Sequence, residues 1–217
     1  MKGKKFVALF GVVAVLRLIY GISPEPPILW RGLFKCLPIL LLIPVALEQA
    51  EMGVQGWLVT IALILSAVGD ICIFYKESHF LHGTVAFGVA HLAYIATFGL
   101  RFDALPMAVA LYLTALTSFA FLWPGLLGPM VYVVPIYCFI LATMAWRALA
   151  PRPDGSHRPS AAGAMLFMAS DLLLSVSTFR FPVQHSEYIV DALYYGAQLC
   201  FALSPTREAK KREHRKV

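Results

Sequence analysis

The sequence predicts an all-α integral membrane protein, a bundle of eight transmembrane helices with both termini in the cytosol. Three observations support this fold class. Hydrophobic residues make up 59% of the 217 residues and charged residues only 14%, with a mean hydropathy of +0.74, which is too apolar for a soluble domain. Eight apolar stretches have about the length needed to cross a bilayer, and the basic residues between them are unequally distributed.

The eight predicted spans follow one another with short connections. The first resembles a signal peptide, but Arg17 interrupts its apolar region and Pro24 would follow the cleavage site, so we retain it as a span. The second is short, and its ends are the least defined. No segment resembles a separate domain, so residues 1–217 are predicted to form a single polytopic membrane domain with a basic cytosolic tail at 204–217. The spans cover residues 6–22, 33–47, 56–74, 80–99, 105–121, 128–149, 160–178 and 187–203.

Lysine and arginine predict the orientation of the spans. With eight spans the termini share one side, which collects 13 of the 18 Lys and Arg residues, six of them in the tail. The other side has four, and Arg17 lies inside the first span. Because basic residues concentrate on the cytosolic side, both termini are predicted to be cytosolic. The tail is expected to contact anionic lipid headgroups, whereas nucleic-acid binding has little support.

Acidic residues within the spans are candidate functional residues, because a charge at membrane depth costs on the order of 3 kcal/mol on insertion scales. Asp70 ends an otherwise uncharged run, and Asp171 lies within the seventh span. No basic residue in a nearby turn neutralises either one, which favours a functional role over a structural one. Asp191 begins the eighth span, where interhelical or interfacial hydrogen bonding explains it equally well. Arg17 either pairs with one of these carboxylates or extends towards the membrane surface.

Three spans place polar residues on one helical face. Small residues on the same face allow close helix approach, so His91 and Asp171 are expected to face the bundle interior. The stripe in the fourth span consists of Gly83, Phe87, His91 and Tyr94. The seventh span repeats these spacings with Gly163, Phe167, Asp171 and Leu174. One face of the eighth span carries Asp191, Tyr194, Tyr195 and Gln198.

The ordered set of these motifs resembles the YhhN-like transmembrane family, whose animal members include lysoplasmalogenases. The resemblance rests on Gly69-Asp70, the stripe of the fourth span, GAMLFMASD at 163–171 and YYGAQL at 194–199. KCLP at 35–38 is similar to a Lys-Pro-Leu-Pro signature at the start of the family's second span, with Cys36 replacing a proline. The sixth span, which holds Tyr137, also fits. The resemblance covers nearly the whole chain.

The resemblance implies hydrolysis of the vinyl ether bond of lysoplasmalogens to a fatty aldehyde and glycerophosphocholine or glycerophosphoethanolamine. Such a bond is cleaved by protonating its distal alkene carbon, after which water attacks the oxocarbenium ion. The low dielectric of a bilayer disfavours the charged form of a carboxylic acid, which keeps it available as a proton donor. A second carboxylate can stabilise the cation and activate the water. Asp70 and Asp171 are the predicted catalytic pair, and the sequence leaves open which one donates the proton.

The predicted span directions place Lys35, Asp70, Asp171 and Asp191 towards the non-cytosolic half, where they are able to form one pocket. Lys35 is expected to contact the substrate phosphate as a point charge, and the tyrosines to face a choline or ethanolamine cation. The expected partners are a lysophospholipid substrate and membrane lipids, with no cofactor and no metal, in the endoplasmic reticulum membrane. The expected substrate-binding residues are Lys35, His91, Tyr94, Tyr137, Ser170, Asp191, Tyr194, Tyr195 and Gln198.

Two alternatives belong to other functional classes. A zinc-dependent membrane lipid hydrolase would use histidine nitrogens from His79, His82, His91 or His185, although His91 falls on the opposite side of a continuous helix from the first two. A proton-coupled lipid or solute transporter would use the carboxylates as proton relays. Metal content tests the first alternative, and chemical conversion of a substrate tests the second.

Overall fold

The computed structural model describes residues 2–20, 29–50, 53–151 and 157–214. Over these residues the chain is entirely helical, with eight α-helices, one short 3-10 turn and no strand, so the predicted all-α class is confirmed. Residues 21 and 22 of the first predicted span and 215–217 of the predicted tail lie outside the described residues. The helices are α1 (Lys2–Tyr20), α2 (Leu29–Ala50), α3 (Val54–Phe74), α4 (Lys76–Phe98), α5 (Leu105–Leu122), α6 (Met130–Leu149), α7 (Arg158–Phe179) and α8 (Ser186–His214).

Five segments of this bundle are each long and apolar enough to cross a membrane, which makes the chain a multi-pass membrane protein. They are Val54–Phe74, His79–Phe98, Leu105–Gly125, Met130–Leu149 and Arg158–Phe179. α5 is the least buried of them and lies at the edge of the bundle. Its exposed side chains include Val109, Leu113 and Leu116, an apolar surface that suits contact with lipid.

Close helix pairs are built on small residues. Gly69 of α3 lies against the Phe87 ring of α4, and a Cβ at Gly69 would come within 2.7 Å of that ring. Gly83 of α4 similarly contacts Ile73 of α3, so the two helices run antiparallel in a fixed register. α7 and α8 form a second antiparallel pair. α8 also packs on α2, while α4 packs on α6, which closes the bundle.

Arg147 anchors the connection between α4 and α5. Its Nε donates to the Gly99 carbonyl over 2.7 Å and its Nη1 to Asp103 Oδ1 over 2.7 Å. Trp146 Nε1 donates to the Asp103 carbonyl over 2.8 Å. Hydrogen bonding to the Arg147 guanidinium holds the pKa of Asp103 below its usual range. Gly99 ends α4 with a positive φ of 82°, which glycine adopts without steric cost.

The helices present two ends. At one end α3 joins α4, α5 joins α6 and α7 joins α8, and we call this the site end because the candidate site lies towards it. The opposite end carries the connection at 99–104. Lys35 lies early in α2 and Asp191 early in α8, whereas Asp70 lies late in α3. These positions bring residues that are distant in sequence to one level of the bundle.

Candidate active site

A cavity at the site end contains both predicted catalytic carboxylates. We call it the polar cavity, and six helices contribute to its wall: α2, α3, α4, α6, α7 and α8. Its cavity volume is about 60 Å³, which accommodates a few water molecules. Seven of the predicted site residues line it, namely Lys35, Asp70, Tyr137, Ser170, Asp171, Asp191 and Tyr194.

Asp171 belongs to a hydrogen-bonded chain that crosses from α4 through α6 to α7. The Tyr137 hydroxyl donates to Asp171 Oδ2 over 2.5 Å, and His91 Nε2 lies 2.9 Å from the Tyr137 oxygen. Because the tyrosine proton points to Asp171, the tyrosine oxygen accepts from His91 Nε2–H. Nδ1 of His91 has no hydrogen-bond partner among the described residues. Asp171 itself lines the polar cavity.

Asp70 has a different partner. The Tyr194 hydroxyl of α8 donates to Asp70 Oδ2 over 2.8 Å, and the Asp70 side chain is nearly fully buried. The Tyr194 ring packs edge-on against Phe87 and Phe167. Gly69 is what lets the Phe87 ring approach this part of α3. Asp70 is thereby held at the cavity wall by the hydroxyl of Tyr194, whose ring is packed between aromatic side chains.

Asp191 lies between two cations. Its Oδ2 is 3.2 Å from Arg17 Nη2, and its Oδ1 is 3.3 Å from Lys35 Nζ. The Arg17 and Asp191 side chains are buried, and Lys35 is mostly so. Of the two sequence-based alternatives for Arg17, pairing with a carboxylate is the one the structure adopts. Two cationic side chains thus flank one carboxylate, next to the wall that holds Asp70.

Ser170 connects the two carboxylate-bearing helices. Its hydroxyl donates to the Val190 carbonyl over 3.1 Å. Ser170 is the neighbour of Asp171, and Val190 is the neighbour of Asp191. This side-chain hydrogen bond between α7 and α8 therefore joins the helix segments that carry Asp171 and Asp191.

Four predicted site residues lie outside the cavity lining. His91 is fully buried behind Tyr137. The Tyr94 hydroxyl donates to Gln198 Oε1 over 2.5 Å, deeper between α4 and α8. Tyr195 donates to the Lys35 carbonyl over 2.8 Å, so its hydroxyl supports the backbone beneath Lys35, while Tyr194 lines the cavity.

The structure adds wall residues that the sequence analysis did not single out. Thr84, Cys138 and Ser175 contribute polar atoms to the polar cavity. Helical spacing was the available signal for two of them: Ser175 follows Asp171 by four residues, and Thr84 precedes Phe87 by three. Cys138 adjoins Tyr137 in sequence and carries no comparable signal.

Among the described residues, the histidines considered for zinc do not gather around one point. The rings of His79 and His82 are 5.6 Å apart between centroids, while His91 contacts Tyr137 and Phe167. In the parts of the chain that the structure describes, no three His, Cys, Asp or Glu side chains are grouped as metal ligands would be. The arrangement places two carboxyl groups, each hydrogen-bonded to a tyrosine hydroxyl, in the wall of one cavity.

Several known proteins are similar to this chain over most of its length. Lysoplasmalogenase TMEM86B of Mus musculus is 35% identical over 97% of this chain and 91% of its own length. Lysoplasmalogenase TMEM86A of Bos taurus is 32% identical over 94% of this chain and 89% of its own. Lysoplasmalogenase TMEM86B of Homo sapiens is 37% identical over 85% and 79%. No solved structure matches the chain. The family model described as the YhhN family matches residues 30–205, so this chain belongs to the YhhN family.

Proposed function

We propose that this protein is a lysoplasmalogenase, which hydrolyses the vinyl ether bond of a lysoplasmalogen. The observation that carries this function is the presence of Asp70 and Asp171 in the wall of one cavity inside a membrane-embedded bundle. The relatives described above are named for the same activity, and they are similar to this chain over most of their length. A lysophospholipid is a membrane component, so the site lies where its substrate resides.

The two carboxyl groups provide a complete reaction path. One carboxyl gives its proton to the alkene carbon distal to the ether oxygen, and the π electrons form the new C–H bond. The positive charge is then shared by the other alkene carbon and the ether oxygen, next to the second carboxylate. Water adds to that carbon and passes a proton to a carboxylate. The resulting hemiacetal loses its hydroxyl proton to one carboxylate as its bond to the glycerol oxygen breaks, the glycerol oxygen takes up the proton held by the other carboxyl, and fatty aldehyde and glycerophosphocholine or glycerophosphoethanolamine are released.

The charged residues around Asp191 suit the substrate headgroup. The net positive charge of Arg17, Asp191 and Lys35 attracts a phosphate, and the mostly buried Lys35 ammonium lines the polar cavity. We assign the phosphate contact to Lys35. The Tyr194 ring also lines this cavity and is the candidate contact for the choline or ethanolamine cation. His91 and Tyr137 are assigned to positioning Asp171, while Tyr94, Ser170, Tyr195 and Gln198 support the wall.

We further propose that all eight helices span the membrane, with both termini and the basic tail in the cytosol. The excess of Lys and Arg on one side supports this topology, and the site end is then non-cytosolic. Tags at Met1 and Val217 are expected to be accessible from the cytosol in selectively permeabilised cells. Tags on opposite sides would contradict the eight-span count. We also propose that the protein resides in the endoplasmic reticulum membrane, which co-fractionation with markers of that membrane tests.

Substrate conversion tests the proposed reaction. Purified protein is incubated with three lysolipids that share a headgroup and chain length and differ in the linkage: vinyl ether, saturated alkyl ether and ester. Because the reaction begins at a carbon–carbon double bond, free aldehyde is expected from the vinyl ether only, and the alkyl ether is expected to compete as an uncleaved ligand. Equal turnover of the ester would identify an acyl hydrolase instead.

A further inference from the structure

A second cavity adjoins the polar cavity between α5, α6 and α7. We call it the apolar cleft, and its walls consist mainly of Leu, Met and Ala side chains, including Ala115 of α5, Leu141 of α6 and Met168 of α7. Its cavity volume is about 240 Å³, compared with about 60 Å³ for the polar cavity. None of the functions assigned above uses this space.

The two cavities meet at Asp171. Tyr137, Cys138, Asp171 and Ser175 line both of them. Asp171 therefore has polar groups on one side and an apolar passage on the other. Asp70 lines only the polar cavity and not the apolar cleft. A ligand that occupies both cavities has its change from polar to apolar character next to Asp171.

The apolar cleft is closed towards the site end and open on its flank. At the site end Leu122, Leu126 and Val134 pack with Val176 and Phe179, which closes that route. Along the flank, Met165 and Leu172 of α7 are 50% and 43% exposed, and the outer face of α5 is exposed and apolar. From Ser175 back to Met165 the α7 wall extends about 15 Å at 1.5 Å per residue. The opening therefore faces the surroundings of the bundle, which for a membrane protein are lipid chains.

We propose that the apolar cleft binds the alkenyl chain of the lysoplasmalogen, and that this chain enters sideways from the bilayer between α5 and α7. The proposal rests on the proposed function and adds the site of the chain, the route of entry and a residue that determines chain length. With the headgroup at Lys35 and the chain in the cleft, the vinyl ether lies at the junction beside Asp171. Ala115 lines the cleft, seven residues from Leu122 towards the opposite end, so its small side chain leaves room for a long chain.

The first test changes the length of the cleft. Ala115→Phe adds a ring to a partly exposed position, and Ala110→Phe is the matched control at an exposed position of α5 outside the cleft. For Ala115→Phe we expect kcat/KM to fall about tenfold or more with a long-chain vinyl ether lysolipid and less than about twofold with a short-chain one. For the control, kcat/KM with either lysolipid is expected to equal that of the unaltered protein.

Two results separate failure of this inference from failure of the proposed function. If the unaltered protein releases no aldehyde from either substrate, the proposed function is wrong. If it releases aldehyde and Ala115→Phe affects both chain lengths equally, or neither, the cleft does not bind the chain. Equal effects accompanied by loss of a cooperative thermal transition would indicate misfolding, and the second test then decides.

The second test needs no variant. An alkyl ether lysolipid with a photoreactive diazirine near the end of its chain is bound to the unaltered protein and irradiated. We expect the label on residues of the cleft wall, such as Met165 or Met168, and we expect excess unlabelled alkyl ether lysolipid to displace it. Label distributed over α1 and the outer lipid-facing surfaces, or label that competitor does not reduce, would overturn the proposal.

Discussion

Tyr137 of α6 donates a hydrogen bond to Oδ2 of Asp171 on α7 over 2.5 Å, while accepting one from His91 of α4 over 2.9 Å. The chain of three side chains joins three helices at the level of the polar cavity. It engages Oδ2 of Asp171, whose side chain lines the cavity. The direction of the Asp171 carboxyl group therefore depends on Tyr137. In the proposed reaction Tyr137 itself transfers no proton to the substrate.

Tyr137→Phe removes this hydrogen bond and keeps the ring. We expect kcat for aldehyde release to fall about tenfold to hundredfold, the range for a misplaced catalytic group, with little change in KM. Tyr112→Phe is the control: its hydroxyl bonds to Thr143 Oγ1 over 2.8 Å on the other side of α6. An unchanged kcat in Tyr137→Phe would assign Tyr137 a packing role only.

Asp70→Asn and Asp171→Asn test the carboxyl pair directly. Each keeps the shape and removes the titrating proton, so each is expected to reduce turnover by about 100-fold or more. Folding should survive because a neutral amide is easier to place in a membrane than a charge. Asp103→Asn, outside the cavity, serves as the comparison. If both variants elute as folded protein and release aldehyde at near-normal rates, the two-carboxyl mechanism is wrong.

Asp191→Asn tests the ion pairs with Arg17 and Lys35. Removing the carboxylate leaves two largely buried cations without an opposite charge, which we expect to lower stability by about 3–5 kcal/mol. Turnover of the folded fraction should fall less than in Asp70→Asn. Thermal unfolding in detergent measures the first effect, and a cycle with Arg17→Met isolates the pair. Additive effects of the two substitutions would show that the pair contributes no coupling energy.

Asp103→Asn at varied pH tests the anchor of the α4–α5 connection. The pKa of Asp103 is held low in the folded protein by Arg147, so this interaction stabilises the fold above the ordinary aspartate pKa of about 4 and is lost as pH falls through the folded pKa. The variant should unfold at a lower temperature than the unaltered protein near pH 7. The difference should shrink below about pH 4. A difference that stays constant down to acid pH would contradict the charge-based account.

Several features of the fold and the site follow from local sequence. An apolar run of sufficient length has few structural options in a membrane, because backbone hydrogen bonds must be satisfied within the segment. Each of the eight apolar stretches coincides with a helix among the described residues, and five of these helices are long and apolar enough to cross a membrane. Asp171 was predicted to face inward because Gly163 and Phe167 share its stripe, and it lies in the cavity wall as predicted. Asp70 was predicted to be a catalytic residue because a lone carboxylate in an apolar run has no local neutralising partner.

Other features depend on how the helices are rotated and paired. Tyr194 and Tyr195 look equivalent in sequence, yet one lines the cavity and the other supports Lys35, because neighbouring residues point about 100° apart on a helix. Which of them faces inward depends on the rotation of α8 against its neighbours.

The sequence by itself determined the helical class, the membrane setting and the identity of the two candidate catalytic carboxylates, since each depends on residues close together in the chain. Only the tertiary structure decided that Arg17 pairs with Asp191, that Tyr137 holds Asp171 and Tyr194 holds Asp70, and that an apolar cleft meets the polar cavity at Asp171. Helical periodicity specifies which residues share a face, but not which helix that face meets. Partners and cavities arise from the packing of side chains from several helices at once.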